Sequence, residues 1–396
     1  MAELRQNTWT LDQWYAQDVA GNATYSGAKE LWGWGDGNSG QLGLNQTIRR
    51  SSPVQIPGTT WGTLGGKGQA GQQAGAIKTD GTLWLWGSNG EGVLGQNQDG
   101  SAFDAISSPI QVGSETTWAQ FAQGYQSQQV YATKTDGTLW SWGRNRYGML
   151  GLNQGQSNND NSRSSPTQVG GTTWSTDPNK LGGGYYFGAA IKSDGTLWTW
   201  GENEYGRLGQ SNTTDYSSPT QIPGTWNTIS SGFMFATAAI NTDGELFMWG
   251  RNQNGEVGDN STTYRSSPTQ IPGTWANVKA AQSFVVAAKT DGTMWAWGQN
   301  QYGECGQNST NNGYSSPVQV YSATDWSTGT VTSYIGNQSV VALKSDGTIW
   351  GWGRNQNGIL GVNDEVKYSS PVQVPGTDVW HSISGTGASI LAIKEI

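Results

Sequence analysis

The chain has 396 residues, among them 59 glycines and 22 tryptophans, with only 13% charged residues; this excludes a disordered chain and points to an all-β body with many turns. The formal net charge is −8 without any block of like charge, which argues against gripping a nucleic-acid backbone. The single cysteine, Cys305, excludes an internal disulfide framework, and no apolar run reaches the roughly 18 residues a membrane span needs.

Residues 1–29 precede the repetitive part and are expected to form an arm, with a single propeller domain over 30–396. The start of the chain shows no apolar targeting segment. Thr10-Leu11-Asp12-Gln13 fits a capping box and Gly21-Asn22 a stop, which predicts a short helix between them. Leu11, Trp14, Tyr15 and Val19 fall on one face of that helix, interrupted by Asp18. Trp9 and Trp14 are the only tryptophans outside the repeat. Trp9, Leu11, Trp14 and Tyr15 are therefore the expected partner-docking residues, with docking on the chain's own propeller as the alternative.

From residue 31 the chain repeats. Leu-Trp-Gly-Trp-Gly at 31–35 recurs in variant form at 83–87, 139–143, 197–201, 246–250, 294–298 and 349–353. A glycine-rich turn follows, usually Asn-x-x-Gly-x-x-Gly, as in Asn145 to Gly151. Next come Ser-Ser-Pro, a β-branched pair around Gln, and one Trp. The unit ends on a short apolar strand and a turn such as Lys78-Thr79-Asp80-Gly81-Thr82. Asp-Gly between apolar runs is a hairpin turn, and Trp-x-Trp puts both indoles on one face of a strand. Proline fits the first residue of an edge strand, where no ladder N–H is needed. Each unit reads as about four short strands that cannot bury their own faces, so neighbours must stack.

Twenty of the 22 tryptophans occupy repeat positions, which assigns them to holding units together rather than to a ligand or to light absorption. The first Trp-Gly-Trp-Gly lacks a preceding apolar strand, whereas the last unit ends at Ile390-Leu391-Ala392-Ile393-Lys394 without a Trp-x-Trp-Gly. The two deficits complement each other. The expected fold is a closed seven-bladed β-propeller with a short N-terminal helical arm, its last blade completed by pairing of the N- and C-terminal strands.

The repeated pattern Trp-x-Trp-Gly-x-Asn-x-x-Gly-x-Leu-Gly, preceded by Asp-Gly, resembles the regulator of chromosome condensation family of propeller repeats over residues 31–396. The resemblance implies a rigid disc that binds macromolecules. Family members include a guanine-nucleotide exchange factor for a small GTPase, a plant UV-B photoreceptor and bacterial effectors. The chain departs from the family's common histidine before the inner strand, since its one histidine is His381. Its N-terminus is not basic, and no block of Trp with Arg neighbours stands out, so neither exchange nor light sensing is expected. The first 30 residues are similar to leaders of propeller proteins carried by marine bacteriophages.

No catalytic constellation is evident. A triad would have to use His381 or Cys305, each alone in its type, and Cys305 stands where other units have Leu or Val. Gly65-Gly66-Lys67-Gly68 lacks the phosphate-loop spacing. The loops 96–106 and 152–163 are longer than their counterparts and oxygen-rich; they read as solvated loops, with calcium as the alternative. No cofactor or metal is expected. Departures from the repeat mark candidate binding residues. Before the second strand of a unit, three consecutive units carry Tyr185, Tyr186 and Phe187, then Phe233 and Phe235, then Phe284, which predicts one aromatic patch beside the central channel. The expected function is a non-enzymatic binding propeller, foremost a bacteriophage virion component assembled in the host cytoplasm with virion-protein partners. The alternatives are a cytoplasmic GTPase regulator of the exchange-factor kind and a carbohydrate-binding adhesin for host-surface glycans.

Overall fold

The computed structural model describes residues 28–65, 72–98, 105–124, 129–155, 161–231, 235–329, 333–336 and 338–395. Seven four-stranded antiparallel sheets form a seven-bladed propeller. Blade I spans residues 61–111, II 118–169, III 181–222, IV 226–271, V 275–319 and VI 333–373. Blade VII joins the chain's two ends. Its strand order is Trp380–Gly385, Ser389–Glu395, Lys29–Gly35, Arg50–Ile56. Lys29 pairs with Glu395 and Gly35 with Ser389 in unbroken register, and Lys29 Nζ lies 3.0 Å from the Glu395 carboxylate. No sheet closes on itself. What is cyclic is the order of contacts, because the first strands of successive blades touch around the whole set and so stand nearest the axis.

The expected helical arm, including Trp9, Leu11, Trp14 and Tyr15, lies outside the described residues; among those described, helix is limited to single 3-10 turns. The placement of Ser-Ser-Pro needs correction. The fourth strand of blade VII begins at Arg50, so Pro53 is its fourth residue rather than its first. Pro53 falls where the register slips between Val54 opposite Gly33 and Arg50 opposite Gly35. A bulge on an edge strand satisfies the same requirement, since no ladder N–H is missed there.

The repeat motif is mostly a device for joining blades. The second indole of each Trp-x-Trp is buried and donates to a carbonyl of the preceding blade. Trp86 Nε1 bonds Gln41 O at 2.9 Å, Trp142 bonds Val93 O at 2.8 Å, Trp200 bonds Met149 O at 2.9 Å and Trp249 bonds Arg207 O at 2.9 Å. Trp297 bonds Glu256 O at 2.9 Å, Trp352 bonds Glu304 O at 2.8 Å and Trp34 bonds Ile359 O at 3.0 Å, which closes the cycle between blades VI and VII. Farther out, a residue in the left-handed region, such as Asn153 (φ 57), gives its N–H to the Ser217 carbonyl of the next blade at 2.8 Å. The seam between VI and VII carries the same bond, Asn363 N to Ser51 O at 3.1 Å.

The glycines follow from this closeness. A Cβ on Gly206 would come within 2.5 Å of Ser266 Cα, and one on Gly209 within 2.8 Å of the Trp249 indole nitrogen. Both also have positive φ. The leading Asn shapes the turn from inside. Asn203 Oδ1 accepts from Leu208 N at 2.9 Å, while its Nδ2 donates to Asn212 O at 3.0 Å. The core is accordingly divided into clusters, each shared by two adjacent blades, such as Leu246, Met248 and Ile271 of blade IV with Trp275, Val278 and Trp297 of blade V.

Candidate functional site

In an up-and-down blade, the links between strands one and two and between three and four lie at one end of the disc. The Asp-Gly turns and the links between blades lie at the other. The arginines and the lysines that recur beside the Asp-Gly turns divide along this line, with Lys367, directly before a fourth strand, on the arginine side. Every described arginine lies in, or directly after, a link between third and fourth strands: Arg49, Arg50, Arg144, Arg146, Arg163, Arg207, Arg251, Arg265 and Arg354. Lys78, Lys134, Lys192, Lys289, Lys344 and Lys394 lie at the Asp-Gly end.

At the arginine end, blades II to IV carry a continuous row of rings. Tyr147 lies 5.3 Å from Tyr186, which stacks on Tyr185 at 4.0 Å. Tyr185 meets Phe235 edge-on at 6.1 Å, Phe235 meets Tyr205 at 5.1 Å, and Tyr205 meets Tyr264 at 5.5 Å. Three arginines lie against the row. The Arg146 guanidinium is 4.9 Å from Tyr147, Arg251 is 5.1 Å from Phe235, and Arg207 lies between Phe235 at 4.9 Å and Tyr205 at 5.4 Å. Such contacts suit the ring quadrupole.

Arg207 is fully buried and anchors the row from below. Its Nη1 donates to Glu202 Oε2 at 2.7 Å. Burial lowers the Arg207 pKa and raises that of Glu202, and the opposite charge of each offsets part of the other's shift.

The expected patch is thus only partly an exposed surface. Tyr185 and Phe235 are half-buried and touch each other, whereas Tyr186, Phe187 and Phe284 are buried. The positions are also not all equivalent. Phe187 and Phe284 pair with Gly201 and Gly298, but in blade IV that place belongs to Ala236, opposite Gly250. Phe235 is one residue earlier, and a shift of one turns a side chain to the other face of a strand. Phe233 lies outside the described residues, as do 99–104 and 156–160 of the two long loops. Sequence reasoning missed Tyr147, Tyr205 and Tyr264. For the first two the signal was available: the third place of Asn-x-x-Gly varies, holding Glu91, Tyr147, Tyr205, Asn254, Tyr302 and Asn357.

Among the described residues no group of three or more His, Cys, Asp or Glu could hold a metal ion. His381 is exposed, and the buried Cys305 thiol is raised in pKa by burial and by Glu304. Neither has a catalytic setting.

The profile of the regulator of chromosome condensation (RCC1) repeat matches residues 30–63, 136–190, 194–238, 243–288, 291–343 and 346–389. A second profile of the same repeat matches 180–207. The human E3 ubiquitin-protein ligase HERC2 is 24% identical over 195 residues, which is 49% of this chain and 4% of that protein. The Arabidopsis thaliana ultraviolet-B receptor UVR8 is 27% identical over 195 residues, 49% of this chain and 42% of the receptor. The chain therefore spans less than half the length of these curated relatives. Among solved structures, Prp20p from Saccharomyces cerevisiae superposes with a TM-score of 0.77 at 17% identity, covering 94% of this chain and 92% of that one. Human WBSCR16 gives 0.77 at 16%, covering 93% and 99%. With RCC1 repeats matched in six places over most of its length, the chain belongs to the regulator of chromosome condensation repeat family.

Proposed function

We propose that this chain is a non-catalytic docking disc that binds another protein through the tyrosine–arginine row of blades II to IV. The observation that carries the proposal is the row itself: six aromatic rings in successive contact across three blades, with three arginines against them. Tyr and Arg supply large, stiff, amphipathic contact area and dominate the energetics of protein interfaces. Tyr147 adds a second argument. Its φ of 58° lies in the left-handed region, which disfavours a bulky side chain, and blade VI fills the same place with Asn357 at 66°. Folding alone would favour asparagine there.

The partner class to test first is a small GTPase. The solved neighbour Prp20p is described as binding Gsp1p and histones, and its fold is shared here. GTPase regulation therefore ranks above the virion reading, and a cytoplasmic location goes with it. None of the relatives named above is a virion protein.

Surface plasmon resonance with Gsp1p and with GTPases of the source cell tests the proposal, together with release of labelled nucleotide. Binding should be lost in Tyr147→Asn and Tyr205→Ala and kept in Lys78→Met at the opposite end. A partner that binds all three variants alike would remove the row from the interface. Sedimentation with phage particles instead would restore the virion reading.

A further inference from the structure

The seam between blades IV and V differs from the other six at one position. The residue after the last glycine of the turn motif is Leu44, Gln96, Leu152, Gln210, Gln307 or Val362 in those seams. Leu44, Leu152 and Val362 pack onto the seam clusters. The glutamines lie across the outer strand instead: Gln96 Nε2 reaches Gln111 O at 2.9 Å, Gln210 reaches Thr220 O at 3.2 Å and Gln307 reaches Gln319 O at 2.6 Å. In the IV–V seam the residue is Asp259. It accepts from Arg265 Nε at 2.7 Å and from Ser261 Oγ at 2.7 Å, bonds that keep it within its own loop.

A groove of about 450 Å³ opens at that place, lined by Asp259, Asn260, Gln270, Lys289, Trp295 and Ser316. Trp295 is half-buried, and its indole Nε1 is already committed to Thr293 Oγ1 at 2.9 Å. One face of its ring carries the Lys289 ammonium, and the rest of the ring is apolar. Asn260, Gln270 and Ser316 are exposed; Asn260 and Ser316 offer donors and acceptors, while Gln270 Nε2 donates to Glu245 Oε1 at 3.1 Å. The charges in the groove have local partners. Asp259 is paired with Arg265, and Lys289 Nζ lies 3.9 Å from the Trp295 ring and 5.2 Å from Trp275.

We propose that this groove binds a neutral carbohydrate of one or two pyranose rings. A pyranose presents an apolar C–H face and a rim of hydroxyls. It therefore needs an aromatic surface flanked by groups that can donate to and accept from hydroxyls, which an ammonium can also do. The groove supplies these, at a volume within the usual range of small-molecule sites. The groove meets the tyrosine–arginine row only through the blade IV link that holds both Asp259 and Tyr264, so binding is also measured in Tyr147→Asn, which lies at the far end of the row.

Saturation-transfer NMR and calorimetry on the full chain, with cellobiose, maltose, lactose and N,N′-diacetylchitobiose as probes, test the assignment. A sulfated heparin disaccharide serves as the anionic comparison. Saturation transfer from at least one neutral disaccharide is expected at millimolar concentration. Asp259→Leu places in this seam the residue found at 44 and 152 and should abolish the transfer; because it also removes the bonds from Arg265 and Ser261, its melting temperature is measured beside the parent's. Trp295→Phe copies Phe247 of blade IV and should weaken binding by about tenfold, which keeps the test open if Asp259→Leu folds poorly. Absence of transfer from every neutral probe, binding of the sulfated probe alone, or equal binding by both variants would overturn the proposal.

Discussion

The two ends of the disc use the same kinds of residue in opposite ways. At the Asp-Gly end the arrangement repeats. Lys78 lies 3.9 Å from the Trp84 ring and 5.1 Å from Trp61, Lys134 4.0 Å from Trp140 and 5.0 Å from Trp118, and Lys192 4.2 Å from Trp198 and 5.0 Å from Trp174. Beside each lysine, a threonine hydroxyl accepts from the indole and donates to the turn aspartate, as Thr82 does between Trp84 and Asp80. Hydrogen bonds from that threonine hold the Asp80, Asp136, Asp194 and Asp291 carboxyls below their ordinary range. At the arginine end the scaffold repeats but its decoration does not: the row of rings occupies blades II to IV only. A side chain that recurs in blade after blade answers to the scaffold, whereas one confined to a sector needs another explanation.

The largest effect expected of a single substitution separates the two indoles of one Trp-x-Trp. Trp200 is buried and bonded to blade II, while Trp198 is half-buried on its own blade. Trp200→Ala should cost about 3–5 kcal/mol in urea unfolding, and Trp198→Ala clearly less. Equal losses would show that the bond between blades has no special weight.

The next effect concerns charges buried in the scaffold below the arginine end. Glu256 and Glu304 occupy the place held by Gln41 in blade VII. Asn254 N donates to Glu256 Oε2 at 2.6 Å and Tyr302 N to Glu304 Oε2 at 2.7 Å, as Ser39 N does to Gln41 Oε1 at 2.9 Å. Burial raises both glutamates to about 7 from 4.5. Below pH 4.5 the folded and unfolded chains are both protonated and nothing is lost. As the pH rises toward 7 the unfolded chain releases protons that the folded chain keeps, so stability falls, by ~3 kcal/mol per site at most. Glu256→Gln and Glu304→Gln should therefore stabilise the fold at pH 8, have little effect at pH 4, and flatten the fall between. Parallel pH profiles for variant and parent, measured by urea unfolding, would show that both glutamates are ionised in the folded chain.

Much of this was legible in the sequence, for a physical reason. The blade count, the Trp-x-Trp strands and the Asp-Gly turns depend on local spacing, and spacing is what repeats. The partners of the motif were not legible. Gly206 and Gly209 read as turn glycines, yet their neighbours are Ser266 and Trp249 of the next blade. Such long-range contacts leave no period of their own. The aromatic patch was half legible. Tyr185 and Phe235 were found, but Tyr147, Tyr205 and Tyr264 join them only through the stacking of blades. The gathering of the described arginines at one end was present in the sequence too, and becomes visible once each turn is assigned to an end of the disc.

A smaller effect tests whether the row is there for a partner. Tyr147→Asn relieves a left-handed tyrosine at the cost of its contact with Tyr186. Stability should rise or stay within about 1 kcal/mol of the parent, while affinity for a partner captured by this end falls. A large loss of stability would make the row a brace instead.

The smallest effect lies at the lysine end, where blade IV has run the experiment in reverse. There Asn241 replaces the lysine, Glu245 the threonine and Phe247 the outer tryptophan, and Asn241 Nδ2 bonds Glu245 at 2.7 Å. The three changes occur together in blade IV, whereas blade VII keeps Lys394 over Trp32 with Glu30 in the threonine's place, its carboxylate accepting from the indole at 3.1 Å. In blade III, Lys192→Met keeps the apolar stem and removes only the charge over Trp174 and Trp198. It should cost about 0.5–1 kcal/mol, the usual worth of an exposed cation–π contact. Blade IV provides the complementary measurement. Asn241→Lys alone should gain little, because Phe247 offers a smaller ring. Glu245→Thr with Phe247→Trp should gain little without the lysine. All three together should exceed the sum of the parts, and the excess is the coupling energy of the unit. Strict additivity would mean that six blades carry lysine at this place for charge and solubility alone, and that its position over the indoles adds nothing to the fold.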